Sequence, residues 1–326
     1  MDNIDTSIPI NTIVRQSKVD DRYYVAKSGV NFYNWQGIKG FFGGFYISEN
    51  KEIAIKVSKI EVLERLYALY DLNKQKLNTD KFIKKLSWPD LVHIGTVNPR
   101  DVLFGESPFG ESNLRDASGL GASKDLISAS IHAVFELLER HWLAKIWYED
   151  AFLIQIRPTL EVKENFCLNL YTVDCPNPMP FVVACITSKD STLFLCGSAV
   201  SNKLTDSIHK ATMEAYLLLD SFLSGDKGIC QSNKERLLSL QKKEFSLLRE
   251  SFVKKKVRHI IDMDNFEMDN MLIQKLTLGS INNIFICPIT EKADFCVVRA
   301  ISQEALKLPE VRKRYNGHDI PFDPFC

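Results

Sequence analysis

The string Glu-x-x-Glu-Arg occurs twice in the chain, as Glu61-Val62-Leu63-Glu64-Arg65 and as Glu136-Leu137-Leu138-Glu139-Arg140, each time inside a helical apolar rhythm. Residues three apart share a helix face, so each copy presents two carboxylates with a guanidinium beside them. One copy alone reads more readily as a solvated helix face, where charged pairs at this spacing commonly sit. Two copies facing each other would place four carboxylates and two guanidinium groups in one cleft. Such a cleft is a poor core, but it suits a hard divalent cation held against phosphate oxygens.

The flanks of both copies support a cleft. Asp116-Ala117-Ser118-Gly119-Leu120-Gly121-Ala122-Ser123 opens directly into the second helix, whose apolar residues Ile127, Ile131, Phe135, Leu138, Trp142 and Ile146 recur with the 3.6-residue period. Glu136 and Glu139 stand toward the edge of that stripe. The first copy follows Gly40-Phe41-Phe42-Gly43-Gly44-Phe45 and the strand-like Glu52–Val57. Glycines let a backbone approach a ligand closely, and helix N-termini attract anions. Neither loop is a P-loop, since no Gly-Lys-Ser/Thr follows, and Gly119-x-Gly121 does not continue into a dinucleotide fingerprint. A third helix is predicted over Thr205–Leu223, with Asp206 in an N-cap or first-turn role. Glu214 lies there among apolar neighbours and needs a partner, either a bound cation or a local Lys or Arg.

Elsewhere the pattern is mixed. Asn165–Asp174, Pro180–Thr187 and Thr192–Ala199 read as an antiparallel meander, and Asn283–Pro288 and Asp294–Ile301 as further strands. Ser232-Asn233-Lys234-Glu235 is a capping box opening a Leu-rich helix toward Phe252. Without a βαβ alternation throughout, the fold class is α+β, with mixed and antiparallel sheets packed with helices in intimately joined lobes. Residues 1–35 are polar and weakly patterned, and read as a loosely ordered arm before a unit spanning 36–326.

The chain is long enough at 326 residues for such a unit, and its 41 basic and 41 acidic residues cancel. The basic run Lys254–Arg258 reads as decoration of a helix end, so nothing in the charge argues for nucleic acid. No apolar stretch is long enough to span a membrane, and the N-terminus carries no signal-peptide pattern. The eight cysteines show no Cys-x-x-Cys spacing and mostly sit in apolar runs, as free buried thiols of a cytoplasmic protein do.

Taken in order, these segments resemble the YcaO family. Ser118 to Trp147 is similar to its second ATP-site helix, with Ala129, His132, Glu136, Glu139, Arg140 and Trp147 in register. Ser58–Arg65 resembles the first Glu-x-x-Glu-Arg helix, and Gly197–Ala215 the segment where a Gly-Ser strand end leads into an Ala-x-x-Glu-Ala helix. Phe295–Arg299 resembles the late strand whose Arg meets the nucleotide. Departures include Ser123-Lys124 for Gly-Asn, Leu217 for a Gln, Ser302-Gln303 for Pro-Gly, and a tail Pro321-Phe322-Asp323-Pro324-Phe325-Cys326 that only partly keeps the proline-rich ending.

The resemblance implies an ATP- and Mg2+-dependent cyclodehydratase that activates a backbone amide of a ribosomally made precursor peptide and forms azolines from Cys, Ser or Thr. It implies Glu61, Glu64, Glu136, Glu139 and Glu214 as Mg2+ ligands, and Arg65, Ser118, Glu136, Arg140, Glu214 and Arg299 as nucleotide contacts. The C-terminal carboxylate of Cys326 is implied as a group near the reacting peptide, with a general-base role. A leader-binding E1-like partner subunit, a flavin dehydrogenase for azole products, and a homodimeric or hetero-oligomeric assembly follow from the same likeness. Thioamide or amidine formation, a catalytically silent scaffold subunit, and an unrelated metal-dependent hydrolase remain open on the residues alone.

Overall fold

The computed structural model describes residues 9–33, 39–69, 82–103, 106–107, 110–111, 117–149, 153–156, 159–173, 179–190, 193–225, 257–260, 281, 283–292 and 294–306. Strands β1 (Asn11–Gln16), β2 (Tyr24–Tyr33) and β3 (Lys39–Ser48) form an antiparallel sheet in that order, followed by helix α1 (Lys51–Tyr67). Strands β4 (Ile83–Ser87), β5 (His93–Val97), β6 (Glu106–Ser107), β7 (Gly110–Glu111) and β8 (Leu120–Ser123) lead into helix α2 (Leu126–Tyr148). Then come β9 (Leu153–Gln155), β10 (Leu160–Lys163), β11 (Phe166–Val173), β12 (Phe181–Ser188) and β13 (Phe194–Val200), and helix α3 (Leu204–Ser224). Strands β14 (Val257–Ile260), β15 (Phe285–Lys292) and β16 (Phe295–Ile301) complete the described elements.

Two larger sheets have the orders β13-β12-β11-β9-β14, with β10 on β11, and β5-β4-β15-β16-β8; β6 and β7 pair separately. β12 is buried along its whole length, because it is covered on both faces. Phe181, Val183 and Cys185 join the core around α2, whereas Val182, Ala184 and Ile186 join the core around α3. That explains a continuous apolar run where a one-sided strand would alternate. β16 does the same, with Cys296, Val298 and Ala300 toward α2, and Phe295 and Val297 toward Leu63 and Tyr67 of α1. The three-stranded sheet closes the circle. Val30 and Phe42 pack on Val62 and Leu66 of α1, while Tyr23, Val25 and Ile47 pack on Met213 of α3. Three sheets and three helices therefore alternate around a ring.

Three sequence expectations change. The loosely ordered arm is corrected over residues 11–33, which form β1 and β2 and are pinned to α3. Asp220, fully buried, accepts from both terminal guanidinium nitrogens of Arg15 (3.0 and 2.5 Å), from Ser17 Oγ and from the Lys18 amide. Alternation in β1 is muted because it is a half-exposed edge. Glu52–Val57 is the first half of α1, not a strand; the Asn50 side chain caps the Glu52 and Ile53 amides and starts the helix there. Val257 and Arg258 lie in β14 and so do not decorate a helix end; Lys254, Lys255 and Lys256 lie outside the described residues. The capping-box helix from Ser232 and the tail to Cys326 lie outside the described residues.

Candidate active site

Each of the three helices follows a strand that ends its sheet, namely β3, β8 and β13. A terminal strand offers backbone N–H groups without a ladder partner, and here the helix glutamates take them. Phe45 N donates to Glu61 Oε2 at 2.6 Å, and Ser198 N donates to Glu214 Oε2 at 2.6 Å. The Ala122 amide is hydrogen-bonded to Glu64. The helices come this close because a glycine precedes each of those amides. A Cβ on Gly44 would lie 2.1 Å from Ser58 O, and one on Gly197 2.4 Å from Ala211 O.

The duplicated strings thereby meet. Arg65 Nη2 pairs with Glu61 Oε1 at 2.5 Å and Nη1 donates to Gly43 O at 2.7 Å. Arg140 Nε pairs with Glu136 Oε1 at 2.8 Å. Ser198 Oγ donates to Glu139 Oε1 at 2.7 Å, so one serine serves carboxylates of two helices. Burial pushes the Glu64 carboxyl up to about 8, helped by the neighbouring charges of Glu136 and Glu61. Burial raises Glu214 to about 7 against the pull of Arg140 and the Ser198 amide. Glu61 and Glu139 are also raised, first by burial; repulsion from Glu136 adds to both, and from Glu214 to Glu139. For Arg140 burial opposes the charge, but Glu136, Glu139 and Glu214 outweigh it and hold the guanidinium protonated. These mutual influences place Glu61, Glu64, Glu136, Glu139, Glu214 and Arg140 in one electrostatic neighbourhood.

An all-oxygen donor set that resists ionisation beside its own kind fits a hard divalent cation, which would stabilise the charged forms. Among the described residues no three His, Cys, Asp or Glu side chains are grouped to hold a metal as they lie. The described ion pairs account for part of this, since Glu61 and Glu136 each face their own helix's arginine.

Arg299 and Ser118 are also together, but through the main chain. Arg299 is 1% exposed and donates from Nε to Ser118 O at 3.0 Å and from Nη1 to Val102 O at 2.7 Å. Cys326 lies outside the described residues. Phe45, Ala122 and Ser198 support the site without standing out in the sequence as site residues. Phe45–Glu61 and Ser198–Glu214 carry a readable signal, since in both the supporting amide follows a glycine and the glutamate stands 16 residues on.

No helix among the described residues is long and apolar enough to cross a membrane. None of the curated proteins compared matches the sequence. The fold matches a heterocyclase determined in complex with substrate and cofactor, with 12% identity and a TM-score of 0.64 over 90% of this chain. The chain spans 49% of that heterocyclase chain, about half its length. It also matches YcaO from Methanopyrus kandleri bound with AMPPCP and Mg2+ (14%, TM-score 0.62, 93% of this chain and 88% of that one). A third match is the E. coli microcin synthetase McbBCD complex (14%, TM-score 0.62, 90% and 87%). At these identities the likeness establishes the fold. The family model for YcaO cyclodehydratase, ATP- and Mg2+-binding, matches residues 61–305, and the chain belongs to the YcaO family.

Proposed function

We propose that the chain is an ATP- and Mg2+-dependent, cytoplasmic, cyclodehydratase-type enzyme acting on a peptide backbone. The observation that carries this reading is the convergence of five glutamates on three helices, three of them held by edge amides of three sheets, with Arg140 half-buried among them. Glu61, Glu64, Glu136, Glu139 and Glu214 would hold Mg2+, and Arg65 and Arg140 would turn from Glu61 and Glu136 toward phosphate oxygens, which match a guanidinium fork. Bound ATP supplies the phosphoryl group that makes an amide oxygen a good leaving group, so that a Cys, Ser or Thr side chain can close an azoline. The protein's part is positioning and charge neutralisation: Ser198 and Phe45 fix the carboxylates, and burial excludes water. Ser118 and Arg299 belong to the nucleotide site in this reading, with Arg299 acting through the turn it holds.

The substrate is a precursor peptide, delivered by a leader-binding partner subunit, and the Cys326 carboxylate lies near the reacting peptide as a general base. The McbBCD complex has also been determined with pro-MccB17 bound, which supports a peptide substrate and partner subunits here. The test is incubation of the chain with Mg-ATP, the partner subunit and the Cys/Ser/Thr-rich peptide encoded beside its gene. Mass spectrometry is expected to show loss of water, and a chain lacking Pro321–Cys326 should bind ATP but modify little peptide. An intact peptide with wild-type chain would contradict the reading; exchange of oxygen for sulfur would favour thioamide formation instead.

A further inference from the structure

The strand-to-helix contact repeats three times, and its second copy carries a different residue. The helix carbonyls facing the strand glycines are Ser58 O at Gly44, Ala129 O at Gly121 and Ala211 O at Gly197. Three residues beyond each carbonyl stand Glu61, His132 and Glu214. Glu61 and Glu214 accept from the amide that follows their glycine. In the second copy that amide, Ala122, goes to Glu64 of α1, and the Ala122 carbonyl, 3.2 Å from Nδ1, goes to His132. One residue of β8 thus holds Glu64 by its N–H and His132 by its C=O.

The chemistry of that contact sets the tautomer. A carbonyl oxygen only accepts, so Nδ1 carries the proton and a neutral ring leaves Nε2 with a bare lone pair. Burial lowers the basicity of His132, and Lys210 adds to this, against Ala122 and Asp125. The neutral form is therefore the resting one. No described residue hydrogen-bonds Nε2, and although packed neighbours partly desolvate the ring, His132 keeps contact with solvent. A histidine kept only for the core would have both nitrogens satisfied and little exposure. His132 instead stands one helical turn before Glu136 and shares Ala122 as a backbone partner with Glu64.

Resting on the nucleotide reading above, we propose that His132 is a positioning residue whose Nε2 accepts a hydrogen bond from a water molecule on the nucleotide-bound Mg2+. Mg2+ keeps several of its waters when bound by carboxylates, and the cation makes those waters stronger donors. Imidazole suits softer metals as a direct ligand, so contact through water is the fitting role for nitrogen beside an oxygen site.

The experiment is 15N NMR of the full chain with labelled histidine, alongside calorimetric titration with Mg-AMPPCP. Without nucleotide, His132 should show a protonated Nδ1 and a bare Nε2; saturation with Mg-AMPPCP should move the Nε2 resonance upfield. His132→Phe should bind Mg-AMPPCP about tenfold more weakly, the scale of one hydrogen bond to a charged centre. An Nε2 resonance unmoved at saturation, or an Nε2-protonated tautomer in the free chain, would overturn the assignment even if His132→Phe failed to fold. Absence of any heat with the wild-type chain would instead overturn the nucleotide reading, and this inference with it.

Discussion

Ser198 Oγ donates to Glu139 Oε1 at 2.7 Å while its amide donates to Glu214 Oε2 at 2.6 Å. A single residue at the edge of β13 thereby locks a carboxylate of α2 against one of α3. Ser198→Ala removes the first bond and keeps the second. We expect weaker Mg-AMPPCP binding, by about tenfold for one charge-assisted hydrogen bond, with the fold retained by circular dichroism. Unchanged affinity would show that Glu139 needs no fixing.

The raised carboxyls make stability depend on pH in an unusual direction. Glu64 and Glu214 start from 4.5 and rise to about 8 and about 7 on folding. Between about 4.5 and about 8 the folded chain holds protons that the unfolded chain has lost, so stability without ligands falls as pH rises through that window. Glu64→Gln should flatten the decline, because a neutral amide carries no burial cost for charge, and its oxygen can still accept from Ala122. Melting temperatures of both chains across the window check this; parallel curves would exclude Glu64 as a source of the slope.

Ion binding must expel those protons, since ligating carboxylates are ionised. Titration with Mg-AMPPCP at pH 7 in buffers of different ionisation enthalpy should therefore show net proton release. Buffer-independent heats would mean that the carboxyls are already ionised or that they do not bind the ion.

Arg299 is buried among main-chain carbonyls, and its removal would leave those acceptors without their donor. Arg299→Met should destabilise the ligand-free chain by roughly 1–3 kcal/mol for each acceptor orphaned, seen as a lower melting temperature. Full stability with weaker nucleotide affinity would return Arg299 to direct phosphate contact.

Much of this was legible in the residues. The helices bearing Glu136, Glu139 and Glu214 follow local periodicity, and the strands around Cys185, Cys196 and Val298 show as continuous apolar runs buried on both faces. Two features were hidden. Ile53 and Ile55 look like strand residues, yet Asn50 caps a helix that runs through them; a local cap outweighed β-branched propensity. The polar segment holding Arg15 gave no core signal because its anchor is Asp220, 205 residues away. Asp220→Ala should detach that sheet at a cost of about 3–5 kcal/mol, as loss of a buried ion-pair partner does, with faster proteolysis near β1; unaltered protection would refute the anchor.

The central claim is that the carboxylates of three helices bind nucleotide through Mg2+. Calorimetric titration of AMPPCP into the wild-type chain with and without Mg2+, repeated with Glu139→Gln, tests it directly. Binding that requires Mg2+ and is lost in Glu139→Gln, with the melting temperature of that variant intact, is the predicted result. Equal affinity with and without Mg2+, or a Glu139→Gln chain that binds like wild type, would contradict it.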